Sequence, residues 1–435
     1  MFREKTKELE KWKLSSLRRP LVIIGPRQVG KSWLIREFGK SFFKQMVYIN
    51  FELYADMQPL FIEDFHIQRV ISALEAYTQT KITPDETLIF FDEIQFAPNG
   101  LSFLEYVSDN TPEYHIIASD SFWENNAHLP VEKVDFLHLY PLNFYEFLLA
   151  TGQLGLSKIL ADQLWDILPV YANRFKEYLR YYFYVGGMPQ AVAQFVENRD
   201  WERIREIQNN IITTYQSDFS KLTPSNEATR IQMVWQSIPA QLGKENKKFM
   251  YGLLHHGARA KDFELAIQWL TDSGILLQTF KILTPALPLI AHRDISAFKL
   301  FFPDVGLLAA MSNLHVKTII GGDDIFTAFR GALTEQFVVQ QLTTWKNPPL
   351  FYWTNSKSTT EVNFIMQHAH DMIPIEIKTE ENLKAKSFKL FCDKYNPRNA
   401  IRTSLANYRK EPWLTHAPLY IIGNYFAEDQ IYNKI

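Results

Sequence analysis

The chain has 435 residues, of which 46 are lysine or arginine and 48 are aspartate or glutamate, so its formal net charge is −2. Hydrophobic residues make up 46% of it, which excludes an intrinsically disordered chain, and the near-neutral charge excludes a general polycation. A single cysteine, Cys392, excludes internal disulfides and cysteine-rich zinc sites. No apolar run reaches the ~18 residues that a membrane helix needs, and the polar N-terminus lacks a signal-peptide core. We therefore expect a cytoplasmic protein of roughly two to four domains that makes no contact with membranes.

The first part of the chain has the pattern of an α/β domain. A charged helix is predicted over residues 3–17, and five apolar runs separated by helical patterns follow it: 21–24, 47–53, 87–95, 113–120 and 134–142. Continuous apolar runs are typical of strands that are buried on both faces, as in parallel sheets. The sequence therefore predicts an α/β domain with a parallel sheet over residues 1–150.

Residues 25–32, GPRQVGKS, match the phosphate-loop pattern G-x-x-x-x-G-K-[ST], between an apolar run and a predicted helix. In such a loop the backbone N–H groups surround the phosphates, and the helix directs its positive end towards them. Lys31 is expected to contact the β- and γ-phosphate oxygens, and the Ser32 hydroxyl to bind Mg²⁺. The predicted nucleotide-binding residues are Gly25, Pro26, Arg27, Gln28, Val29, Gly30, Lys31, Ser32 and Trp33.

Two acids, Asp92 and Glu93, end the apolar run LIFF. Asp92 is expected to hold the Mg²⁺ shell, and Glu93 to activate the attacking water as a general base. Together with the phosphate loop, this acidic pair predicts a P-loop NTPase. The next predicted strand ends at Ser119, for which two interpretations stand: a contact with the γ-phosphate or the attacking water, or a helix cap or turn.

The rest of the chain divides into three predicted regions. Residues 151–222 have helical patterns that are broken at VGGMPQ, and they predict a helical lid. Residues 223–315 combine short helices with strand-like runs at 275–282 and 298–302, which is compatible with a winged-helix module. Residues 316–435 predict a smaller α/β unit, with a helix at 329–345 and strands at 349–355, 360–367, 372–379 and 418–424.

Six segments, in chain order, resemble prokaryotic AAA-family ATPases with an AAA_14-type P-loop domain and a C-terminal DUF4143-type region: RRPLVIIGPRQVGKS, LIFFDEIQ, LYPLNFYEFL, YVGGMPQ, SIPAQLGKENKKFMY and KLFFPDVGLLAAM. The resemblance implies an AAA/ASCE-type parallel sheet, a winged-helix module and a small restriction-endonuclease-like α/β domain. It also implies ATP, with Mg²⁺, as the nucleotide. Such families commonly have Gly-Arg shortly before the LYPL segment, where this chain has Glu132-Lys133, so an arginine finger there is in doubt and the oligomeric state stays open.

The resemblance also points to a second, nuclease-like site. Metal-dependent nucleases of that fold present an acid on one strand, Glu-x-Lys on the next and an earlier helix glutamate; Glu376 and Lys378 match the second element and Glu335 matches the third. The expected aspartate is Asn363, whose neutral amide weakens Mg²⁺ binding. Glu361, on the same strand face, would lie ~6.5–7 Å away and is a poor replacement. We therefore expect the fold without cleavage.

Basic residues are concentrated between positions 244 and 261, against the single acid Glu245: Lys244, Lys247, Lys248, Arg259 and Lys261. A surface that contacts DNA phosphates and a solvated helix face are both compatible with this pattern. Our first interpretation of the chain is an ATPase that couples hydrolysis to DNA binding. The alternatives are an ATP-gated, metal-dependent DNA endonuclease and a non-hydrolysing nucleotide sensor that recruits a protein partner.

Overall fold

The computed structural model describes residues 1–122, 132–244, 247–320, 327–355, 360–368, 370–378 and 386–426, which form two compact units. The N-terminal unit comprises Met1–Tyr140 with Asp272–Gly274, and the C-terminal unit comprises Pro141–Thr271 and Ile275–Ile435. Within these described ranges, none of the helices combines the length and the apolar character that a membrane crossing requires.

The N-terminal unit is a parallel five-stranded sheet with the strand order β2-β3-β4-β1-β5, packed against helices. Its strands are β1 Leu21–Ile24, β2 Gln45–Asn50, β3 Thr87–Asp92, β4 His115–Asp120 and β5 Asp135–His138. Its helices are α1 Thr6–Leu14, α2 Lys31–Phe42, α3 Ile67–Thr78 and α4 Gly100–Asn110. Each predicted apolar run overlaps one strand, and the predicted parallel α/β sheet is confirmed.

The order of the strands brings distant parts of the sequence to one edge of this sheet. Strand β4 lies between β1, which leads into the phosphate loop, and β3, which ends at Asp92. In register, Ile24 of β1 is paired with Asp120 of β4, and Asn50 of β2 is paired with Asp92. Because all the strands are parallel, their carboxyl ends lie together, and such an edge is where open α/β sheets bind ligands.

The C-terminal unit combines helices with a mixed sheet of eight strands in the order β12-β13-β11-β10-β9-β8-β6-β7. Its strands are β6 Leu277–Ile282, β7 Arg293–Phe301, β8 Leu350–Thr354, β9 Glu361–His368, β10 Asp371–Ile377, β11 Ile401–Ser404, β12 Arg409–Lys410 and β13 Thr415–Pro418. Its helices are α5 Phe144–Ala150, α6 Leu154–Ala161, α7 Leu168–Val185, α8 Pro189–Glu197, α9 Trp201–Leu222, α10 Ser225–Leu242, α11 Ala260–Asp272, α12 Val305–Met311, α13 Val316–Ile320, α14 Thr327–Lys346, α15 Lys386–Tyr395 and α16 Ile422–Tyr425.

The hairpin predicted around residues 275–302 forms as β6 and β7, but it continues into the C-terminal strands. Phe280 of β6 pairs in parallel with Phe351 of β8, so the hairpin and the strands predicted between 349 and 379 share one sheet. The prediction of a strand at 418–424 is wrong, because β13 ends at Pro418 and a 3-10 turn and α16 follow it. A short, buried apolar run has the same pattern in a strand and in a helical turn, so periodicity does not separate them.

A buried carboxylate, Asp304, fixes the packing of three segments of the C-terminal unit. Its oxygens accept hydrogen bonds from the N–H groups of Gly187 at 2.5 Å and Leu307 at 3.0 Å, and from the Gln340 side chain of α14 at 3.1 Å. Burial raises the pKa of Asp304 to about 6. A Cβ on Gly187 would lie 2.0 Å from the Leu142 oxygen, so only glycine fits there. The segments VGGMPQ and FFPDVG therefore serve packing in this unit.

Candidate nucleotide-binding site

The phosphate loop joins β1 to α2 with the conformation that its glycines permit. Gly30 has φ 94° and ψ 25°, in the left-handed region that favours glycine, and α2 begins at the next residue. A Cβ on Gly25 would lie 2.1 Å from the backbone oxygen of Leu139, so this position also requires glycine. Arg3 also contacts the loop: its guanidinium donates to the backbone oxygen of Val29 at 2.9 Å.

Lys31 lies at the start of α2, with only 4% of its surface exposed. Its Nζ donates to the backbone oxygens of Gly25 at 2.7 Å and Pro26 at 3.2 Å, and to the Ser121 hydroxyl at 2.8 Å. Burial lowers the pKa of Lys31, and the nearby carboxylates of Glu93 and Asp92 offset part of that effect. A buried ammonium beside a glycine loop and a helix N-terminus favours an anionic ligand.

Asp92 and Ser32 are in direct contact at the edge of the sheet. The Ser32 hydroxyl donates to Asp92 Oδ1 at 3.0 Å. The other carboxylate oxygen, Oδ2, accepts from the Tyr48 hydroxyl at 3.0 Å and from the Asn50 amide at 3.2 Å, both on β2. Asp92 is therefore fixed with one oxygen directed at Ser32. This hydroxyl and carboxylate are the oxygen donors that Mg²⁺ binds in such sites, so the residues fit the metal.

Two serines on one face of the chain at the end of β4 have different roles. Ser119 is fully buried; its hydroxyl donates to Asp92 Oδ1 and accepts from the Glu93 N–H at 3.1 Å, so it supports both acids. Ser121 connects the charged groups, because its hydroxyl accepts from Lys31 and donates to Glu93 Oε1 at 2.8 Å. The predicted site included Ser119 but not Ser121, although the period of two along a strand places both side chains on the same face.

Glu93 follows β3 with φ 54°, in the left-handed region that a non-glycine residue rarely adopts. Its Oε1 accepts from Ser121, and its Oε2 accepts from the Gln95 amide at 2.6 Å. Strained backbone of this kind persists where surrounding contacts hold it, and it is concentrated at functional sites. The carboxylate thus lies one hydroxyl away from Lys31.

The other predicted loop residues lie around this core. Arg27 donates to Glu52 at 2.9 Å, and its guanidinium lies 5.3 Å from the centre of the Phe122 ring. Gln28 has φ 67°, and Trp33 is 41% exposed on α2. At the position where an arginine finger was in doubt, Lys133 is paired with Asp109 at 2.5 Å on the surface.

The nuclease-like residues form ion pairs in the C-terminal unit. Glu335 on α14 accepts from Lys247 at 2.6 Å and from the Asn363 amide at 2.9 Å, and Lys299 lies 3.5 Å from its second oxygen. Burial raises the pKa of Glu335, but the two lysines outweigh it and leave the pKa below its usual value. Lys299 also donates to Glu361 at 2.7 Å. Amino groups therefore surround the helix glutamate of the nuclease pattern.

The Glu-x-Lys pair has a cationic neighbour of its own. The Arg402 guanidinium donates to Glu376 Oε2 at 2.6 Å, and Lys378 lies 3.3 Å from Oε1 of the same carboxylate. In the part of the chain that the structure describes, no three His, Cys, Asp or Glu side chains are arranged to hold a metal. The structure thus brings Glu335 and Asn363 into contact, and it pairs both Glu335 and Glu361 with lysines.

The cluster of basic residues between 244 and 261 is divided by the fold. Lys247 points to Glu335 with 12% of its side chain exposed, so it belongs to the interior. Lys244, Lys248, Arg259 and Lys261 are exposed. Glu245 lies outside the described residues.

Comparisons with known proteins agree with this geometry. Residues 17–148 match the AAA domain family, 176–318 match a domain of unknown function, DUF8612, and 330–421 match a second one, DUF4143. Among curated proteins, no sequence matches.

Three solved structures illustrate the distant similarity of the fold. A Walker-type ATPase of Pyrococcus abyssi is 14% identical over 71% of this chain and 94% of that chain, with a TM-score of 0.45. The Aeropyrum pernix ORC1 protein, solved with DNA, is 13% identical over 72% and 93%, with a TM-score of 0.31. PCH-2 of C. elegans is 12% identical over 47% and 67%, with a TM-score of 0.30. Similarity at this level is too low to add to the family matches, of which the AAA domain match at 17–148 covers the loop and the acidic pair. The chain carries an AAA-type P-loop ATPase domain at its N-terminal end and a DUF4143 region towards its C-terminal end.

Proposed function

We propose that the chain binds ATP with Mg²⁺ at residues 25–33 and hydrolyses it, and that hydrolysis controls a C-terminal region that binds DNA without cutting it. Lys31 and the loop hold the phosphates, and Ser32 with Asp92 holds the metal. Mg²⁺, when bound, neutralises charge on the phosphate oxygens. Glu93 takes the proton from the attacking water, while Ser119 keeps Asp92 and the Glu93 backbone in place.

One observation carries the ATPase proposal: the buried Lys31 ammonium, at the start of the helix, is joined through the Ser121 hydroxyl to the Glu93 carboxylate. These residues come from the ends of three different elements. Their convergence on one edge supports a site where phosphate recognition and a base are adjacent, which is the arrangement that phosphoryl transfer to water needs.

Single-turnover hydrolysis of ATP tests this role of Glu93. We expect Glu93→Gln to bind ATP and to hydrolyse it about 100-fold to 10,000-fold more slowly, which is the usual contribution of a general base. Glu37→Gln is the matched control, because Glu37 is an exposed acid of α2 that is paired with Lys40. Equal rates for Glu93→Gln and the wild type would refute the catalytic role. Negligible hydrolysis by both, with ATP bound, would favour the nucleotide-sensing scaffold.

The proposed loss of nuclease activity is supported by the ion pairs of Glu335 and Glu376. A nuclease of this fold needs carboxylates to bind Mg²⁺, but here Lys247 and Lys299 flank one and Arg402 the other. Replacing these cations with a metal would leave the charged groups of the lysines and the arginine without their carboxylate partners, which is costly. These contacts disfavour the ATP-gated endonuclease. Plasmid incubated with the protein and Mg²⁺ or Mn²⁺ should stay intact, and cutting that Lys378→Ala abolishes would overturn this assignment.

The proposed DNA contact rests on the exposed basic residues of the winged-helix-like region at 223–315, between the proposed lid at 151–222 and the proposed nuclease-like domain at 316–435. Arg259 and Lys261 flank the start of α11. Replacing both with Gln should reduce the slope of log affinity against log salt by about 2 for duplex DNA. Lys158→Gln, at an exposed position of α6, is the control that should leave the slope unchanged. Binding that does not depend on salt would argue against phosphate contact.

Because Cys392 is a buried free thiol, we also propose a reducing, cytoplasmic location.

A further inference from the structure

Asp120 is a buried carboxyl at the edge of the sheet to which the proposed mechanism assigns no role. It is the last residue of β4, it is fully buried, and it lies between the two serines that contact the charged groups of the site. Its Oδ1 accepts from the Phe122 N–H at 2.6 Å. Its Oδ2 is enclosed and has no hydrogen-bond partner among the residues that the structure describes.

The charged groups that face Asp120 come from two neighbouring elements, Lys31 from α2 and Glu93 from the end of β3. Burial raises the pKa of Asp120 to about 7; the Phe122 N–H opposes this shift, the Glu93 charge adds to it, and Lys31 opposes it. The adjoining residues of β1, Leu21–Ile24, are apolar. Asp120 is therefore near the midpoint of its titration at neutral pH, and the Lys31 charge is one of the influences that favour its ionised form.

Nucleotide phosphates change that balance. They bring negative charge to Lys31, the cation whose charge, together with the Phe122 N–H, favours the ionised form of Asp120. A carboxylate can only accept hydrogen bonds, whereas the neutral acid can also donate one from the oxygen that now lacks a partner. Like charges in a buried site favour the neutral form of one of them.

We infer that Asp120 takes up a proton from solution when ATP enters the site, so that nucleotide binding is coupled to pH through this carboxyl. The proton moves from the solvent to Oδ2, no covalent bond other than this O–H forms or breaks, and the ionised group becomes neutral. This inference rests on the proposed nucleotide site. Asp120 acts there as a positioning residue: it loses its negative charge when the negatively charged nucleotide binds.

Proton uptake can be measured directly by calorimetry in buffers of different ionisation enthalpy. The probe is the β,γ-imido analogue of ATP with saturating Mg²⁺, so hydrolysis adds no heat. At pH 7.5 a carboxyl with a pKa near 7 is about three-quarters ionised, so about 0.7 proton should be taken up per nucleotide. Asp120→Asn should still bind the analogue, but it should take up about 0.7 fewer protons per bound nucleotide than the wild type. Asp109→Asn, an exposed acid of the same unit, should behave as the wild type. Protons from the analogue itself cancel in these differences.

A second measurement needs no variant. The dissociation constant of the wild type should rise about tenfold between pH 6 and pH 8, because the ionised form must first be protonated. A dissociation constant that stays within about twofold, or equal proton uptake by the wild type and Asp120→Asn, would overturn the inference while leaving the nucleotide site intact. The absence of any binding heat in the wild type would instead contradict the proposed function, and the two failures are therefore distinct.

Discussion

Substitution of Lys299 tests quantitatively how much its ion pairs with Glu335 and Glu361 stabilise the C-terminal unit. It lies on β7 with 1% of its side chain exposed, donates to Glu361 at 2.7 Å and lies 3.5 Å from Glu335. The two glutamates hold the pKa of Lys299 above its usual value against the opposing effect of burial. Lys299→Met keeps an unbranched side chain and removes the charge, so it leaves both carboxylates short of a partner.

The expected loss follows from burial. Breaking a buried ion pair by removing one partner typically costs about 3–5 kcal/mol, because the remaining charge stays desolvated. An exposed pair with the same separation contributes about 0–1 kcal/mol. Arg203 and Glu206 are 2.7 Å apart with 54% and 60% of their side chains exposed, so Arg203→Met is the matched control in the same unit. Adding Glu335→Gln to Lys299→Met should recover part of the loss, because it removes one unpaired charge.

Urea denaturation followed by far-UV circular dichroism measures these differences. With a slope of about 1–3 kcal/mol per molar urea, Lys299→Met should lower the midpoint by at least about 1 M, and Arg203→Met by a few tenths of a molar at most. Equal shifts for the two variants would show that the buried cluster does not contribute as its geometry implies. A double variant less stable than Lys299→Met alone would refute the unpaired-charge explanation.

Three further predictions follow from the C-terminal unit. Gly187→Ala places a Cβ 2.0 Å from a backbone oxygen and should cost at least about 3 kcal/mol in thermal denaturation, whereas Gly155→Ala, with open space around it in α6, should gain about 0.5–1 kcal/mol; similar effects would contradict the packing. The pKa of Asp304 is raised from 3.8 to about 6 in the folded chain. Its contribution to the free energy of unfolding is therefore complete below pH 4 and falls by about 3 kcal/mol as the pH rises through 6. Denaturation at pH 4 and pH 7 should therefore show a larger difference for the wild type than for Asp304→Asn, and equal differences would contradict this. Asn363→Asp should not restore plasmid cleavage with Mn²⁺, because the lysines still hold the helix glutamate; metal-dependent nicking would contradict it.

The phosphate loop and the acidic pair could be predicted because their signals are local. Glycine is scarce in this chain, so a Gly-Lys-Ser at the required spacing after an apolar run has few other interpretations. The strands of the N-terminal sheet could be predicted for a related reason, since strands buried on both faces are continuous apolar runs.

The contacts that the sequence did not predict join residues far apart in the chain. Tyr48 and Asn50 hold Asp92 only because β2 lies beside β3, which is a property of strand order. In the sequence, nothing distinguishes Lys247 from the exposed basic residues near it, and only the fold brings its side chain to Glu335. The β6–β7 hairpin was predictable, but its pairing with β8 depends on tertiary packing that no local pattern encodes.

Calorimetric titration with MgATP tests the central claim, that residues 25–32 bind the phosphates of ATP, most directly. The wild type should give a saturable heat at one site. Lys31→Ala should weaken binding about 10-fold to 150-fold, which corresponds to the loss of charged hydrogen bonds worth about 1.5–3 kcal/mol. Glu37→Gln, on the exposed face of the same helix, should bind like the wild type. No heat from the wild type, or an unchanged affinity in Lys31→Ala, would contradict the account.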